Sequence, residues 1–281
     1  MKINKNFRVF VLVFMLFGIS SCTTKMAYNN LDWIISWYVD DFVTLNDEQE
    51  KELNTIVTSF LLWHRKFELQ NYVLQIKYIK IDLEKGESQS NVGLYIDSFK
   101  QFWQSILIKA EPDIVKFSDT LTAEQVENFL AEMEKKNLDK LDEFKEDTPQ
   151  ERLDNRFDKI EDRITSFTGY LTKEQKQLLH KANQSIESTF NERIEFRRAW
   201  ASAIRETFIQ RSNKLVFEQS LRKLILQSDD YRSAVYLKKL EVNKQIWINV
   251  IEQLISSLNK EQRKKLNAKL DDIIEDLEAL Y

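Results

Sequence analysis

Few side chains in this chain can do chemistry, and their positions limit what that chemistry is. There is one cysteine, Cys22, and there are two histidines, His64 and His180. His64 and Glu68 stand four residues apart and can share a helix face. A catalytic metal centre needs about three protein ligands with supporting hydrogen bonds around them. No HExxH, cysteine cluster or aspartate-rich loop supplies the rest. His64, beside Trp63, reads as a partly buried helix residue, and His180, in a charged stretch, as a solvated one. Four glycines in the whole chain leave no Gly-rich phosphate loop and no G-x-S-x-G turn. Carboxylates are abundant, but nothing singles out a pair for acid–base work. The expectation is a protein that is not an enzyme, with no metal and no cofactor.

The arginines are the other candidates. Arg152, Arg156, Lys159 and Arg163 run beside the apolar seam Leu153, Phe157, Ile160, Ile164, Phe167. Arg193, Arg197, Arg198 and Arg205 gather further on with Phe196 and Trp200. Acids are interleaved at Asp154, Asp158, Glu161, Glu192 and Glu195. Two readings stand side by side. In one, these charges form solvated or inter-helix ion pairs. In the other, Arg152, Arg156, Arg163, Arg193 and Arg197 line a cleft for an anionic ligand, such as a lipid phosphate, a glycan carboxylate or an acidic peptide. Arginine suits that task because its planar guanidinium donates in two parallel prongs.

The cysteine has a telling context. Lys2, Lys5 and Arg8 make a positive start, Val9 to Phe17 an apolar run, and Gly18-Ile19-Ser20-Ser21 a small-residue exit into Cys22. These are the marks of a cleaved secretory signal, and the run is too short to span a membrane. Ile19-Ser20-Ser21-Cys22 resembles the lipobox of bacterial lipoprotein precursors. The resemblance implies a lipoprotein signal peptide over residues 1–21, lipidation of Cys22 and a mature N-terminus carrying three acyl chains, palmitate among them. Two chains already anchor a protein stably. Thr23 is not the aspartate that retains such proteins in the inner membrane. The implied place is therefore the outer membrane, with the body facing the periplasm. The alternatives are a soluble secreted protein with a free cysteine and an uncleaved anchor helix.

Removing the signal takes three of 41 basic residues and no acid, leaving 38 against 45 and a net charge near −7. Such a chain is a poor nucleic-acid binder and gains nothing from anionic headgroups. The expected partners are the membrane, through the lipid, and a periplasmic protein or anionic envelope ligand; nucleic acid is excluded. No thiol remains for a disulfide once Cys22 is acylated. Hydrophobic residues make up 43 %, which allows a core that needs no staple.

Such candidate groups must be positioned by helices. Four glycines and two prolines are far too few for a turn-rich β fold. The expected fold class is all-α: an antiparallel multi-helix bundle with long helices. Residues 22–30 are a short lipidated tether and 31–281 one bundle domain, with room for two lobes. Apolar residues step by three and four through Leu53, Ile56, Phe60, Trp63, Phe67, through the 153–167 seam, and through Leu266, Leu270, Ile273, Leu277, Leu280. The stretch Asp82 to Gly93 reads as a loop. Glu111-Pro112 should end one helix and start a short one, and Pro149 sits well in a first turn. Ser228-Asp229-Asp230 offers a helix start. Thr172 to Gln227 reads as one very long helix, or as two with a break near Ser212-Asn213. Trp33, Trp37 and Tyr38, close behind Cys22, either pack into the bundle or lie at headgroup depth. Packing is preferred, because Asp32, Asp40 and Asp41 oppose insertion.

One device recurs. Leu45-Asn46-Asp47-Glu48-Gln49, Leu121-Thr122-Ala123-Glu124-Gln125, Leu171-Thr172-Lys173-Glu174-Gln175 and Leu258-Asn259-Lys260-Glu261-Gln262 share the form Leu-[Thr/Asn]-x-Glu-Gln. Thr or Asn can accept a backbone N–H at a helix start, while Gln at N3 reaches back to the cap residue. The motif resembles the Leu-Thr-x-x-Gln of the Spy/CpxP periplasmic chaperones, which implies, as one alternative, a binder of unfolded periplasmic clients. A second resemblance covers most of the chain. Tyr28-Asn29-Asn30-Leu31-Asp32-Trp33, Trp37-Tyr38-Val39-Asp40-Asp41, Leu62-Trp63-His64-Arg65, then Arg152, Arg156, Arg163 and Gly169-Tyr170-Leu171-Thr172 look like an uncharacterised family of proteobacterial outer-membrane lipoproteins. That resemblance implies location and an all-helical body, and no activity. The functional expectation is a lipid-anchored, non-enzymatic periplasmic bundle that binds something or helps maintain the envelope. The anionic lipid or glycan binder stands as a further alternative.

Overall fold

The structure is a computed structural model describing residues 21–85 and 91–281, with the backbone alone for 21–24. The expected signal peptide, apart from Ser21, and the centre of the expected 82–93 loop lie outside these residues. Among the described residues the chain is helical throughout, without a strand. No helix among the described residues is long and apolar enough to cross a membrane.

The N-terminal helices are α1 (Ser21–Asn29), α2 (Leu31–Asp40) and α3 (Asp47–Trp63). A π-turn at His64–Glu68 leads into α4 (Leu69–Lys85). Then come α5 (Val92–Ser118), α6 (Ala123–Glu146) and α7 (Pro149–Thr168). The C-terminal half holds α8 (Lys173–Ser185), α9 (Phe190–Ile209), α10 (Lys214–Leu226), α11 (Ala234–Ser257) and α12 (Lys260–Glu278). Three cores hold them. Tyr28 of α1 joins Leu69, Tyr72, Val73 and Ile76 of α4 and Leu270, Ile273 and Leu277 of α12. Phe157, Leu179, Val250 and Leu254 unite α7, α8 and α11. At the other end Val115, Leu130, Met133, Ile204, Phe217 and Leu224 bind α5, α6, α9 and α10. The helix α5 packs on both α10 and α11 and so ties the two ends together.

All four Leu-[Thr/Asn]-x-Glu-Gln segments open a helix as capping boxes. They also meet in pairs. The side-chain amide of Gln175 donates to Oε1 of Gln262 at 3.1 Å, and that of Gln262 to Oε1 of Gln175 at 2.8 Å. Gln49 and Gln125 exchange the same two bonds at 3.0 and 2.7 Å. Each amide nitrogen also donates to the carbonyl five residues before its partner glutamine: Thr120, Thr44, Ser257 and Tyr170. Each Oε1 accepts the N–H of its own cap residue. One amide thus serves its own helix start and the start of another helix at once. Gln175 and Gln262 are 2 % and 0 % exposed, a burial an amide tolerates only when its hydrogen bonds are met.

Several sequence expectations change. Helix α5 runs straight through Pro112. Proline removes one backbone donor, but Pro112 and Ile108 are both exposed, so water can serve the carbonyl left over. The 173–226 span holds three helices, with the expected break at 210–213 and another at 186–189. The second has no Gly or Pro. Asn243 of α11 makes it by grasping Glu187, accepting from its N–H and donating to its carbonyl, both at 2.9 Å. Ser228–Tyr231 is a 3-10 turn, and the cap of α11 is Ser233, which accepts from Tyr236 N–H. Pro149 does stand in the first turn of α7, behind a Thr148–Glu151 capping box. Residues 21–29, which include most of the expected short tether over 22–30, form a helix. Finally, the seam begun by Leu53 does not extend to Phe67, which is 50 % exposed; Glu68 and Leu69 are buried instead. A π-turn inserts one residue into the helix and rotates everything after it.

Candidate functional site

That π-turn carries the most unusual side chains in the protein. His64 is buried between two tyrosines: its Nδ1 lies 2.8 Å from Tyr28 Oη and its Nε2 3.2 Å from Tyr72 Oη. Burial pulls the imidazole down to about 4, so it is neutral at ordinary pH. Burial likewise pushes the Tyr28 hydroxyl up to about 12 and raises that of Tyr72. A neutral imidazole donates from one nitrogen and accepts at the other, which suits a hydroxyl on each side. Glu68, 4 % exposed, accepts from Ser105 Oγ at 2.6 Å through one oxygen; its other oxygen has no partner among the described residues. Arg65 lies over the Tyr28 ring and donates to Asn29 Oδ1 at 3.1 Å. Tyr28 is 1 % exposed. Helix α1 is therefore fastened into the core by the ring and hydrogen bond of Tyr28, six residues after Cys22. The cluster is an internal clamp of buried side chains, and no metal-holding group of histidine, cysteine or acidic residues occurs among the described residues.

Helix α2 behaves oppositely. It has no buried residue. Trp33 and Trp37 stack with ring centroids 6.5 Å apart and are 66 % and 46 % exposed. The preferred packing holds for Tyr38, which meets Phe42 at 5.2 Å, and fails for Trp33.

The arginine groups separate, because their helices lie in different cores. Arg152 donates to the carbonyls of Phe144 and Asp147 and covers the Phe144 ring, closing the end of α6. Arg156 donates to the Asn183 side chain at 2.6 Å and to the Asn183 carbonyl, closing the end of α8. Both guanidinium groups satisfy orphan carbonyls at the negative end of a helix. Arg211 and Arg263 do the same for α5 and α11, a role that sequence inspection missed; Arg263 stands shortly after the helix end it closes, whereas Arg211 lies 92 positions beyond Asp119 and leaves no local trace. Arg163 is half-buried on α7. Arg198 and Arg205 pair with Glu134 and Glu127 at 2.5 and 2.9 Å, as inter-helix ion pairs between α9 and α6. These two pairs cross a groove of about 340 Å³ whose floor is Leu130, Ala131 and Ala201.

Arg193 and Arg197 remain. Arg193 is exposed beside Phe190. Arg197 is half-buried, with no ion pair within 4 Å among the described residues. Burial and Arg193 weaken its hold on a proton, while Tyr38 and Glu134 support it. Lys140 on α6 is lowered too, by burial first and then by Arg197 and Arg193, against Glu143 and Asp139. Arg193 and Arg197 of α9 thus both disfavour the charge on Lys140 of α6. His180 stacks on Phe157 with centroids 3.8 Å apart and keeps an exposed edge.

Comparison with known proteins adds one finding. Residues 41–236 match a family of unknown function, DUF6279. The chain belongs to this family. The DUF6279 match runs from the end of α2 to the start of α11 and so takes in His64, Glu68, Tyr72 and both arginine groups, while Tyr28 lies before it. No curated protein and no solved structure matches the chain.

Proposed function

We propose that this DUF6279 protein is a lipid-anchored, non-enzymatic helical bundle of the outer membrane, facing the periplasm and serving in binding or envelope maintenance. The observation that carries the reading is Cys22, the one cysteine, at the end of a lipobox-like run and six residues before the buried Tyr28. A lipid there attaches to the body itself. Metabolic labelling with a palmitate analogue is the test. Label in the wild type and none in Cys22→Ser, with release of the variant from membranes, is the expected result; labelled Cys22→Ser protein would refute it.

A second reading has its own observation. The cationic group Lys140, Arg193 and Arg197 offers a place for an anionic envelope ligand, a phosphate or a carboxylate. The chaperone alternative has less support. The glutamines of the recurring motif are occupied by one another, so the motif serves the fold and presents little to a client.

A further inference from the structure

We infer that α1 and α2 form a membrane-resting face, with the Trp33–Trp37 stack seated among lipid headgroups, so that the bundle lies against the bilayer and does not swing on a leash. The inference rests on the anchoring reading above and adds an orientation to it.

The argument is one of register and reach. Met26 is 69 % exposed, whereas Tyr28 is 1 % exposed and locked to His64. Two residues turn a helix by about 200°, so α1 has a core side and an outer side. Cys22 stands one helical turn before Met26, on the outer register. An acyl group at that position places the bilayer along the outer side of α1. The reach from Cys22 to Trp33 is eleven residues, at most about 16 Å of helix, with no loop to lengthen it. Trp33 ends that reach, and Trp37 stacks on it one turn further along α2. Indole combines an apolar body with a polar N–H and favours the membrane–water interface. Asp32 and Asp40 are exposed beside them, which suits headgroup depth and forbids the hydrocarbon. The face binds through acyl chain and indole, not through charge, so zwitterionic lipid suffices.

The full chain, processed in cells and purified from envelopes in detergent, is reconstituted into phosphatidylcholine vesicles with and without acyl-chain bromines, which quench nearby tryptophan fluorescence. Intact mass reports the state of Cys22 in the same sample. The expected result is acylated Cys22, clear quenching in the wild type, and loss of that quenching in Trp33→Phe/Trp37→Phe. Trp103→Phe, which removes another exposed indole from α5, should leave it intact. Circular dichroism confirms that the variants keep their helices, as exposed positions allow. Acylated Cys22 with unquenched wild-type tryptophans, or quenching unaltered by the double substitution, would overturn this inference alone. Unacylated Cys22 would overturn the anchoring reading and this inference with it.

Discussion

Gln175 and Gln262 lie 87 positions apart in the chain, yet each completes the other's helix start through two reciprocal hydrogen bonds. Gln49 and Gln125 repeat the arrangement at another site. A local capping signal has become a long-range fastening that sets one helix N-terminus against another.

Removing one glutamine should therefore cost more than a cap. Gln262→Ala leaves the Asn259 N–H without its acceptor. It also takes two bonds from the Gln175 amide, which keeps only Ser257 and Thr172, and one from the Tyr170 carbonyl, which keeps only Thr168. A loss of about 2–3 kcal/mol is expected from hydrogen bonds worth about 1 kcal/mol each plus the penalty of orphaned groups. Urea unfolding measures it. In a double-mutant cycle Gln175→Ala and Gln262→Ala should couple by about 1 kcal/mol; strictly additive losses would mean the pair does not cooperate.

The threonine caps act locally. Thr122→Ala and Thr172→Ala should each cost about 1 kcal/mol, the usual value for a lost hydroxyl cap. Denaturant midpoints of the two variants check this, and an unchanged midpoint would contradict the cap's contribution.

His64 predicts a pH dependence. Its pKa falls from 6.5 to about 4 on folding, because burial penalises the charged ring. The unfolded chain then binds more protons than the native one between about pH 4 and 6.5, and stability rises with pH across that window. A full shift of this size corresponds to about 3 kcal/mol, with neutral His64 fully compatible with folding above pH 6.5 and increasingly costly below it. Unfolding free energies of wild type and His64→Gln, measured from pH 4 to 7, should converge as the pH is lowered. Parallel curves would show that another group sets the slope.

The two arginine groups should respond differently to lysine. Arg156→Lys loses the fork that holds both Asn183 groups and should destabilise the protein by about 1–2 kcal/mol. Arg197→Lys keeps a charge at a place without an ion pair among the described residues, and its effect on stability should be within about 0.5 kcal/mol. Thermal or urea unfolding of the two variants decides between this assignment and a shared ligand cleft, for which both would be stability-neutral.

The all-helical class, the four capped starts and the seams of α7 and α12 were legible in the sequence alone. These features are local: a cap reaches three residues, and an apolar stripe repeats every three or four. Gly169, the one residue with positive φ among the described ones, likewise marks the end of α7 by its own backbone freedom. Other features lie in contacts between distant residues. The break at 186–189 exists because Asn243, 56 positions beyond Glu187, grasps the backbone there. The face change at His64 follows from the π-turn, where Tyr28 and Tyr72 hold the ring from two other helices. Arg152 and Arg156 looked like a ligand-binding stripe because a helical wheel shows which residues share a face but not which carbonyls await them. The orphan carbonyls they satisfy end other helices, and only the packed fold brings a guanidinium to them.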